Sequence, residues 1–345
     1  MLPRMAQIDK SLAHAGCCRR SRGAGGGPNN RRVPLVEITA HGQYCPAGDF
    51  HIDPWGPAAR AVITHAHAAQ FGPGAFLATK AGEALLRARL GAQAQSVTIQ
   101  SLDYGEAINF GGVRVSLHPA GHILGSAQAR LERAGEVWVV SGHYKLAPDP
   151  TCAGFEPLRC HVFITEATYG LPIFRWRPAS EVRDGILAWW RANRDAGRAS
   201  LLFAHPVGKA QRLLALLDAP PEPIYCHESV EAVNAIYRRQ AIALPSTALA
   251  NGQGDWRHAL ILAPPSTALA SGWMRIRGTR RRRSLDRGFA LSDHADWPDL
   301  LRAIAETRAE RVWVTAGFRG PVARWIAEHG GSAVAIEGRW EEAER

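Results

Sequence analysis

The sequence lacks the features that mark membrane-spanning, secreted and disulfide-rich proteins. No run of eighteen apolar residues occurs among its 345 residues, which argues against a transmembrane helix. Its first thirty-two residues contain no continuous apolar stretch of the kind found in secretory signals. The six cysteines form no CxxC pair and have no regular spacing, so reduced thiols are expected. These absences predict a cytoplasmic protein with no membrane partner.

Positive charge is plentiful but unevenly distributed. The net charge is +10, and residues 1–32 hold seven Lys and Arg against one Asp, which leaves only +4 for the rest. This Gly- and Arg-rich segment has few apolar residues and is predicted to be a disordered basic tail. A second basic cluster lies at 275–287, and its arginines are either solvated or in contact with phosphate, depending on whether an active site is near. Its central members are Arg280, Arg281, Arg282 and Arg283.

The hydrophobic pattern predicts an α+β protein built from sheets flanked by helices. Alternating apolar residues and turn signals predict strands at 34–39, 60–64, 97–99, 113–118, 127–133 and 136–141, with a helix at 80–91. From residue 179 the pattern changes to a helix (179–196), a strand (200–204), a helix (208–218) and further alternation through 224–241. Residues 245–270 show no clear pattern. Beyond them, strands are predicted at 273–278, 289–292 and 311–317, and helices at 297–307 and 320–329.

The most informative motif is a β-branched run that ends in His65 and His67. At a strand end, residues two apart point to the same side, so the two imidazoles are expected to converge, and imidazole is a preferred zinc ligand. Alone, this pair is weak evidence for a metal site, and surface or core histidines are the favoured interpretation. His122, His143 and His294 also follow predicted strands, which suits a site built at one edge of packed sheets.

Eight segments carry a family resemblance by their order and spacing. They are YCPAGDFHIDPW, VITHAHA, HPAGHILGSAQ, VWVVSGHYK, FITEATYGLP, GKAQR, ASGWMRIRG and LSDHADW. From about residue 42 to 325 the chain resembles the ligase-associated DNA exonucleases, metallo-β-lactamase-fold enzymes related to the β-CASP nucleases. The resemblance implies a four-layer αβ/βα sandwich formed by 33–178 and 271–345. A shortened β-CASP-like α/β insert at 179–270 would cap the active-site groove.

Members of that family are typically dinuclear zinc nucleases, but this chain matches their ligand motifs only in part. His65, His67 and His122 match metal ligands, and His143 occupies the position of a bridging aspartate. Three other ligand positions are lost, at Ala69, Gln70 and Ala316. The resemblance therefore implies one zinc ion, held by His65, His67, His122 and His143. In the alternative, His143 is a loop histidine and a three-histidine zinc retains slow hydrolysis.

Other positions match the family's catalytic groups. His294 matches a general-acid histidine, Glu166 its carboxylate partner and Asp53 a carboxylate that orients the ligands; structural hydrogen bonding is the alternative for His294 and Glu166. Lys209 and Arg212 begin a helix, where they contact phosphate or lie on an exposed face. His205 is interpreted as a local substitution without a catalytic role.

The resemblance implies metal-dependent phosphodiester hydrolysis at DNA ends, in repair, with an ATP-dependent DNA ligase and a helicase as partners. Because the second zinc site is lost, activity is expected to be absent or reduced. One alternative is a non-catalytic protein that binds nucleic acid or another partner. Another is a small-molecule metallohydrolase of the same fold, against which the insert and the arginine cluster argue.

Overall fold

The computed structural model describes residues 34–68, 74–217, 220, 223–251, 256–264 and 287–338. The described residues from Leu35 onward belong to one compact unit. Within the described ranges, no helix is long and apolar enough to cross a bilayer. Several predictions lie outside these ranges: the basic tail, the strand at 273–278, and the arginines at 280–283.

The described residues form seventeen strands and six α-helices. The strands are β1 Glu37–Thr39, β2 Gly42–Cys45, β3 Phe50–Ile52, β4 Arg60–Val62, β5 Gly74–Thr79, β6 Val97–Leu102, β7 Ala107–Phe110, β8 Val113–Pro119, β9 Ala127–Arg133, β10 Glu136–Val140, β11 Val162–Glu166, β12 Ser200–Phe203, β13 Ile224–Cys226, β14 Thr247–Leu249, β15 Leu260–Ala263, β16 Arg311–Thr315 and β17 Ala333–Ala335. The helices are α1 Lys80–Leu90, α2 Ala179–Asp195, α3 Lys209–Leu216, α4 Glu228–Arg239, α5 Trp297–Thr307 and α6 Arg319–Glu328.

Two mixed sheets form the main body. The first has the order β1-β2-β3-β4-β5-β6, and the second has the order β17-β16-β11-β10-β9-β8-β7. In both, an antiparallel half continues into a parallel half: β3 to β6 are parallel in the first sheet, and β10, β11, β16 and β17 in the second. Strands β16 and β17 come from the end of the chain, so the last described residues complete a sheet that the first half begins.

The two sheets pack face to face because their strands alternate apolar residues between two faces. Val62 and Leu77 of the first sheet share a buried cluster with Val115, Leu131 and other residues of the second. Their neighbours in sequence point the other way: Ala61, Phe76 and Ala78 pack under α1 instead. The outer face of the second sheet is covered by α5 and α6. The predicted α+β arrangement of packed sheets flanked by helices is therefore confirmed.

A third sheet, fully parallel, has the order β12-β15-β13-β14. It packs with α2 and α3 in a core of its own, which includes Trp190, Leu202, Leu213 and Leu260. Trp190 is buried there and donates its ring N–H to the carbonyl oxygen of His258. This tryptophan therefore serves in packing of the third sheet.

Most predicted elements agree with the structure within two residues, but the strand predicted at 289–292 is wrong. Residues 287–292 form no strand. There the carbonyl oxygen of Ser292 accepts a hydrogen bond from Arg212, so it is not available to a neighbouring strand. The Ser292 hydroxyl accepts a hydrogen bond from the backbone amide of His294. The strand predicted at 60–64 ends at Val62, because the Thr64 amide bonds to the carboxylate of Asp53.

Candidate metal centre

The histidine pair is positioned by a turn after β4. His67 lies in a short 3-10 segment, Ala66–Ala68, so the alternation expected of a strand does not apply to it. The ring centroids of His65 and His67 are nevertheless 5.7 Å apart, nearly perpendicular. The two rings therefore converge, although through a turn rather than through strand periodicity.

Asp53 acts on His65 through Thr64. The carboxylate of Asp53 accepts the Thr64 amide at 2.8 Å and the Thr64 hydroxyl at 2.5 Å, and the same hydroxyl oxygen lies 2.8 Å from His65 Nδ1. Since the single hydroxyl proton goes to Asp53, His65 Nδ1 must donate to the Thr64 oxygen, which leaves the lone pair of the ring on Nε2. A Cβ on Gly142, whose φ is +55°, would lie 2.4 Å from the Thr64 hydroxyl oxygen, so the chain needs glycine there.

The ring of His122 is oriented by Asp293, which lies 171 residues later in the sequence. Its Nδ1 lies 2.9 Å from the carbonyl oxygen of Asp293, which can only accept, so Nδ1 carries the proton and Nε2 the lone pair. Nε2 of His122 lies 3.3 Å from Nδ1 of His67. The backbone amide of His122 is held in turn by the Ser126 hydroxyl at 3.1 Å. The loop after β8 thus presents one fixed nitrogen to the cluster.

Three overlapping sets of donor atoms make the site continuous. In each set, among the described residues, one ligand atom per side chain lies within 4.8 Å of the others. The sets are His65, His122 and His143; His122, Asp293 and His294; and His143, Glu166 and His294. His67 belongs to none of them, but its ring packs against those of His122 and His205, at 5.4 and 4.8 Å.

Several ring nitrogens in this cluster have no hydrogen-bond partner within the described part of the chain. They are His65 Nε2, His67 Nε2 and His143 Nδ1, all buried. Burial, followed by repulsion from neighbouring histidines, holds the pKa values of His65 and His67 well below the ordinary value. Burial likewise lowers the pKa of His122 to about 3 and that of His143 to about 4. Neutral imidazole is the form that binds metal, so this donor set could hold a metal ion.

Glu166 and His294 form a buried pair at the edge of the cluster. His294 Nδ1 lies 2.9 and 3.0 Å from the two carboxylate oxygens of Glu166. The amide of Tyr144 and the hydroxyl of Thr168 also donate to this carboxylate. Burial alone would raise the pKa of Glu166, but the neighbouring histidines and these bonds outweigh it and lower that pKa to about 2. Burial would lower the pKa of His294, yet Glu166 and Asp293 outweigh it and raise that pKa.

Two members of this cluster, Asp293 and His205, are not among the predicted site residues. Asp293 is buried, with Oδ1 lying 3.4 Å from Lys209 Nζ and 3.9 Å from His294 Nε2. His205, interpreted as a substitution without a role, lies in the loop after β12 with its ring against that of His67. The only signal for Asp293 was its place next to His294, and none pointed to His205, because both contacts join distant parts of the chain.

The basic residues of α3 do not lie on an exposed face, so that alternative is wrong. Lys209 is 1% exposed and pairs with Asp293, and Arg212 is 7% exposed. The guanidinium of Arg212 donates to the carbonyl oxygen of Ser292 at 2.7 Å and lies 3.5 Å from Asp149. Charged side chains can be buried when they have partners, and here both cations of α3 pair with groups of the protein itself. Phosphate contact by these two residues stays a prediction.

Ala316 lies beside the cluster, where it lines a pocket of about 570 Å³ together with Asp53, His65, His143 and Glu166. It is 6% exposed and follows the end of β16. Its methyl group offers no metal ligand. Ala69 and Gln70, the other positions at which ligands are lost, lie outside the described residues.

Comparison with known proteins identifies relatives, although no family model matches the chain. A probable DNA ligase from Opitutus terrae (strain DSM 11246 / JCM 15787 / PB90-1) is 30% identical over 316 residues, which make up 86% of this chain and 30% of that protein. Endoribonuclease YSH1 of Yarrowia lipolytica (strain CLIB 122 / E 150) is 30% identical over 123 residues, or 35% of this chain and 14% of the endoribonuclease.

The chain is similar to these proteins, and both similarities support its assignment to the metallo-β-lactamase nucleases. It spans less than a third of the length of either relative. Similarity of fold extends to a protein of unknown function from Enterococcus faecalis V583, with a TM-score of 0.56 and 11% identity over 81% of this chain and 79% of that one. The family resemblance predicted from the eight motifs is thereby confirmed.

Proposed function

We propose that the chain is a metal-dependent phosphodiesterase acting at DNA ends in repair, like the ligase-associated DNA exonucleases, with reduced activity. The observation that carries the proposal is a set of buried ring nitrogens, on His65, His67 and His143 beside His122, that have no partner among the residues the structure describes. A buried polar atom without a partner costs about 1–3 kcal/mol, so three in one place indicate a bound ion. Similarity to a probable DNA ligase over most of the chain supports DNA as the substrate.

The donor set suits a single zinc ion. His65, His122 and His143 would hold it, with His67 as a fourth ligand, because zinc prefers imidazole nitrogen in tetrahedral sites. When bound, zinc would act as a Lewis acid on the phosphodiester. A second ion would need ligands at the positions of Ala69, Gln70 and Ala316, and neither alanine offers a donor atom. The loss of a two-ion clamp is the reason for expecting slow hydrolysis.

His294 and Glu166 would serve as the proton donor and its partner. Glu166 fixes the imidazole through Nδ1 and raises its pKa, which favours the protonated ring. Its other nitrogen, Nε2, faces the Asp293 side of the cluster. A general acid in this place would protonate the leaving oxygen of the cleaved phosphodiester.

Beyond the metal centre, we infer how the chain holds its substrate and which proteins act beside it. The body would be the four-layer metallo-β-lactamase sandwich formed by 33–178 and 271–345, with 179–270 as the capping insert. The third sheet supports such an insert, since its four strands all lie within that range. Arg280, Arg281, Arg282 and Arg283 would contact the DNA backbone. A DNA ligase and a helicase of the same pathway would act on the product in the cytoplasm.

The test combines metal analysis with a nuclease assay on one sample. Purified full-length protein should contain about one zinc per chain and should digest end-labelled DNA slowly, in a chelator-sensitive manner. His122→Ala should abolish both properties, whereas His118→Ala, which removes a histidine paired with Glu156 outside the cluster, should change neither. Two zinc ions per chain would contradict the one-ion site. DNA binding without cleavage would favour a non-catalytic protein, and ester hydrolysis without DNA binding a small-molecule hydrolase.

A further inference from the structure

The loop at 292–296, which carries His294, is held in place by groups from other elements. Its Ser292 carbonyl oxygen accepts from Arg212 Nη1 at 2.7 Å. The amide of Ala295 donates to the Tyr144 carbonyl oxygen at 2.7 Å. The His294 carbonyl oxygen accepts from the ring N–H of Trp176 at 2.9 Å. Since residues 287–292 form no strand, such contacts replace a ladder in fixing this loop.

Helix α3 makes two contacts with this loop from one face, through Lys209 and Arg212. Lys209 and Arg212 are three residues apart and therefore neighbours on the helix surface. Lys209 Nζ lies 3.4 Å from Asp293 Oδ1, and Arg212 bonds the preceding residue, Ser292. The helix itself begins at a fixed point: a Cβ on Gly208, whose φ is +86°, would lie 2.2 Å from the Ile123 side chain, and the Gly208 amide donates to Gln211 at 2.8 Å.

The Nε side of the Arg212 guanidinium is also held in place, by the carboxylate of Asp149. Its Nε lies 3.5 Å from Asp149 Oδ2, and the second oxygen of Asp149 accepts the amide and the hydroxyl of Thr151, at 2.9 and 2.6 Å. Arg212 thus joins two loops, at 149–151 and at 292–296. A guanidinium spans two acceptors with fixed geometry, which an ammonium does not.

The held loop determines the orientation of two site histidines. The Asp293 carbonyl oxygen accepts from His122 Nδ1, which leaves the lone pair of that ring on Nε2. The next residue, His294, is bonded to Glu166. A shift of Ser292 would therefore move both the acceptor of His122 and the backbone of His294.

We propose that Arg212 and Lys209 are positioning residues of the metal centre rather than phosphate ligands. They hold Ser292 and Asp293 so that the loop fixes the ring of His122 and places His294 against Glu166. The use of His122 as a ligand rests on the proposed function, but the hydrogen bonds themselves do not. The two ideas are therefore separable by experiment.

The test compares Arg212→Lys with Arg238→Lys in the full-length chain. Arg238 on α4 is a matched control, because it too joins a carboxylate, Glu231 at 2.6 Å, to a backbone carbonyl, that of Pro245 at 3.1 Å. Lysine keeps the positive charge, so Asp149 is not left without a cation and the variant should fold. The first readout is the pair of hydrogen-bonded ring N–H signals of His122 and His294 in NMR spectra of metal-free protein. The second is zinc affinity by chelator competition.

Arg212→Lys should displace or broaden both ring signals and weaken zinc binding by about tenfold or more, as expected when a group that orients a ligand is disturbed. Arg238→Lys should leave both readouts at their original values. Unchanged ring signals and zinc affinity in Arg212→Lys would overturn the positioning role. Failure of the unaltered protein to bind zinc would count against the proposed function alone, since the NMR comparison would still decide the role of Arg212.

Discussion

At the scale of single residues, the site is organised by groups that the metal would not touch. The Thr64 hydroxyl donates its one proton to Asp53, and this fixes which nitrogen of His65 is available to a metal ion. The Asp293 carbonyl oxygen does the same for His122. Ligand identity alone therefore does not define the centre, because the tautomers are set by residues behind the ligands.

Thr64→Val should weaken zinc binding by roughly 10- to 100-fold, since the valine removes the oxygen that His65 Nδ1 bonds and leaves the Asp53 carboxylate with one donor fewer. Thr64→Ser keeps the hydroxyl and should retain affinity near that of the original. Chelator competition on the two variants and the unaltered protein measures the effect. Equal affinities in all three would show that the hydroxyl does not orient the ring.

Restoring the four divergent ligand positions should raise the metal content. The variant carries Ala69→Asp, Gln70→His, His143→Asp and Ala316→His, and it should bind about two zinc ions per chain and digest DNA faster. Ala316→His alone is the matched control and should leave the stoichiometry near one. Mass spectrometry of the metal on desalted protein checks both, and a combined variant that still holds one ion would contradict the assignment of the lost site.

At the scale of secondary-structure elements, one ionised carboxylate links α4 to β14. Glu231 accepts bonds from Asn234, Arg238 and Thr247. Burial alone would raise the pKa of Glu231, but these bonds outweigh it and lower that pKa below its ordinary value. Its contribution to stability is therefore present above the ordinary value and is lost as the pH falls through the lowered one.

Glu231→Gln should accordingly destabilise the protein at pH 7 by about 1.5–3 kcal/mol, the worth of hydrogen bonds to a charged group. The difference from the unaltered protein should shrink as the pH falls below about 4.3, the ordinary value for glutamate. Urea unfolding at several pH values measures it. Glu328→Gln, on the exposed end of α6, is the control and should change the free energy of unfolding little at pH 7. A difference that grows at low pH would contradict the sign.

The end of α5 offers a second test at this scale. Arg308, its C-cap, is exposed and adopts a left-handed backbone with φ 52° and ψ 33°, which costs a residue other than glycine about 1–2 kcal/mol. Arg308→Gly should raise the melting temperature. Glu306→Gly, an exposed position inside the same helix, should lower it, because glycine costs about 1 kcal/mol there. Two changes of the same sign would refute the explanation from backbone geometry.

How far the sequence predicted these elements depended on whether their signals were local. Helix α5 was placed at its observed bounds because Asp296 caps it and Pro298 lies in its first turn. The strand predicted at 289–292 failed because an arginine eighty residues away takes its backbone acceptor. The same division holds in the site: the histidines were found from their strand-end motifs, whereas Asp293 and His205 were missed because only the tertiary fold brings them in.

At the scale of the whole molecule, the third sheet is joined to the two larger sheets through polar and apolar contacts. Arg212 links α3 to the loops at 149–151 and 292–296. The hydroxyl of Tyr237 on α4 accepts from the amide of Leu124, and the two share a buried cluster with Leu85 of α1. These contacts couple the sheets energetically.

We therefore expect the three sheets to unfold together. Cys45 in the first sheet and Cys226 in the third are both free and fully buried, so thiol labelling reports the opening of each. In a urea series, both should become reactive over the same concentration range. Reaction of Cys226 at clearly lower urea would show that the third sheet opens independently.

The turn after β16 has a practical consequence for protein engineering. Ala316 has a φ of 49°, a conformation in which histidine is several-fold enriched among residues other than glycine. A histidine introduced there could keep the backbone conformation that Ala316 already has. Restoring a metal ligand at this one position thus needs a single substitution and no redesign of the turn.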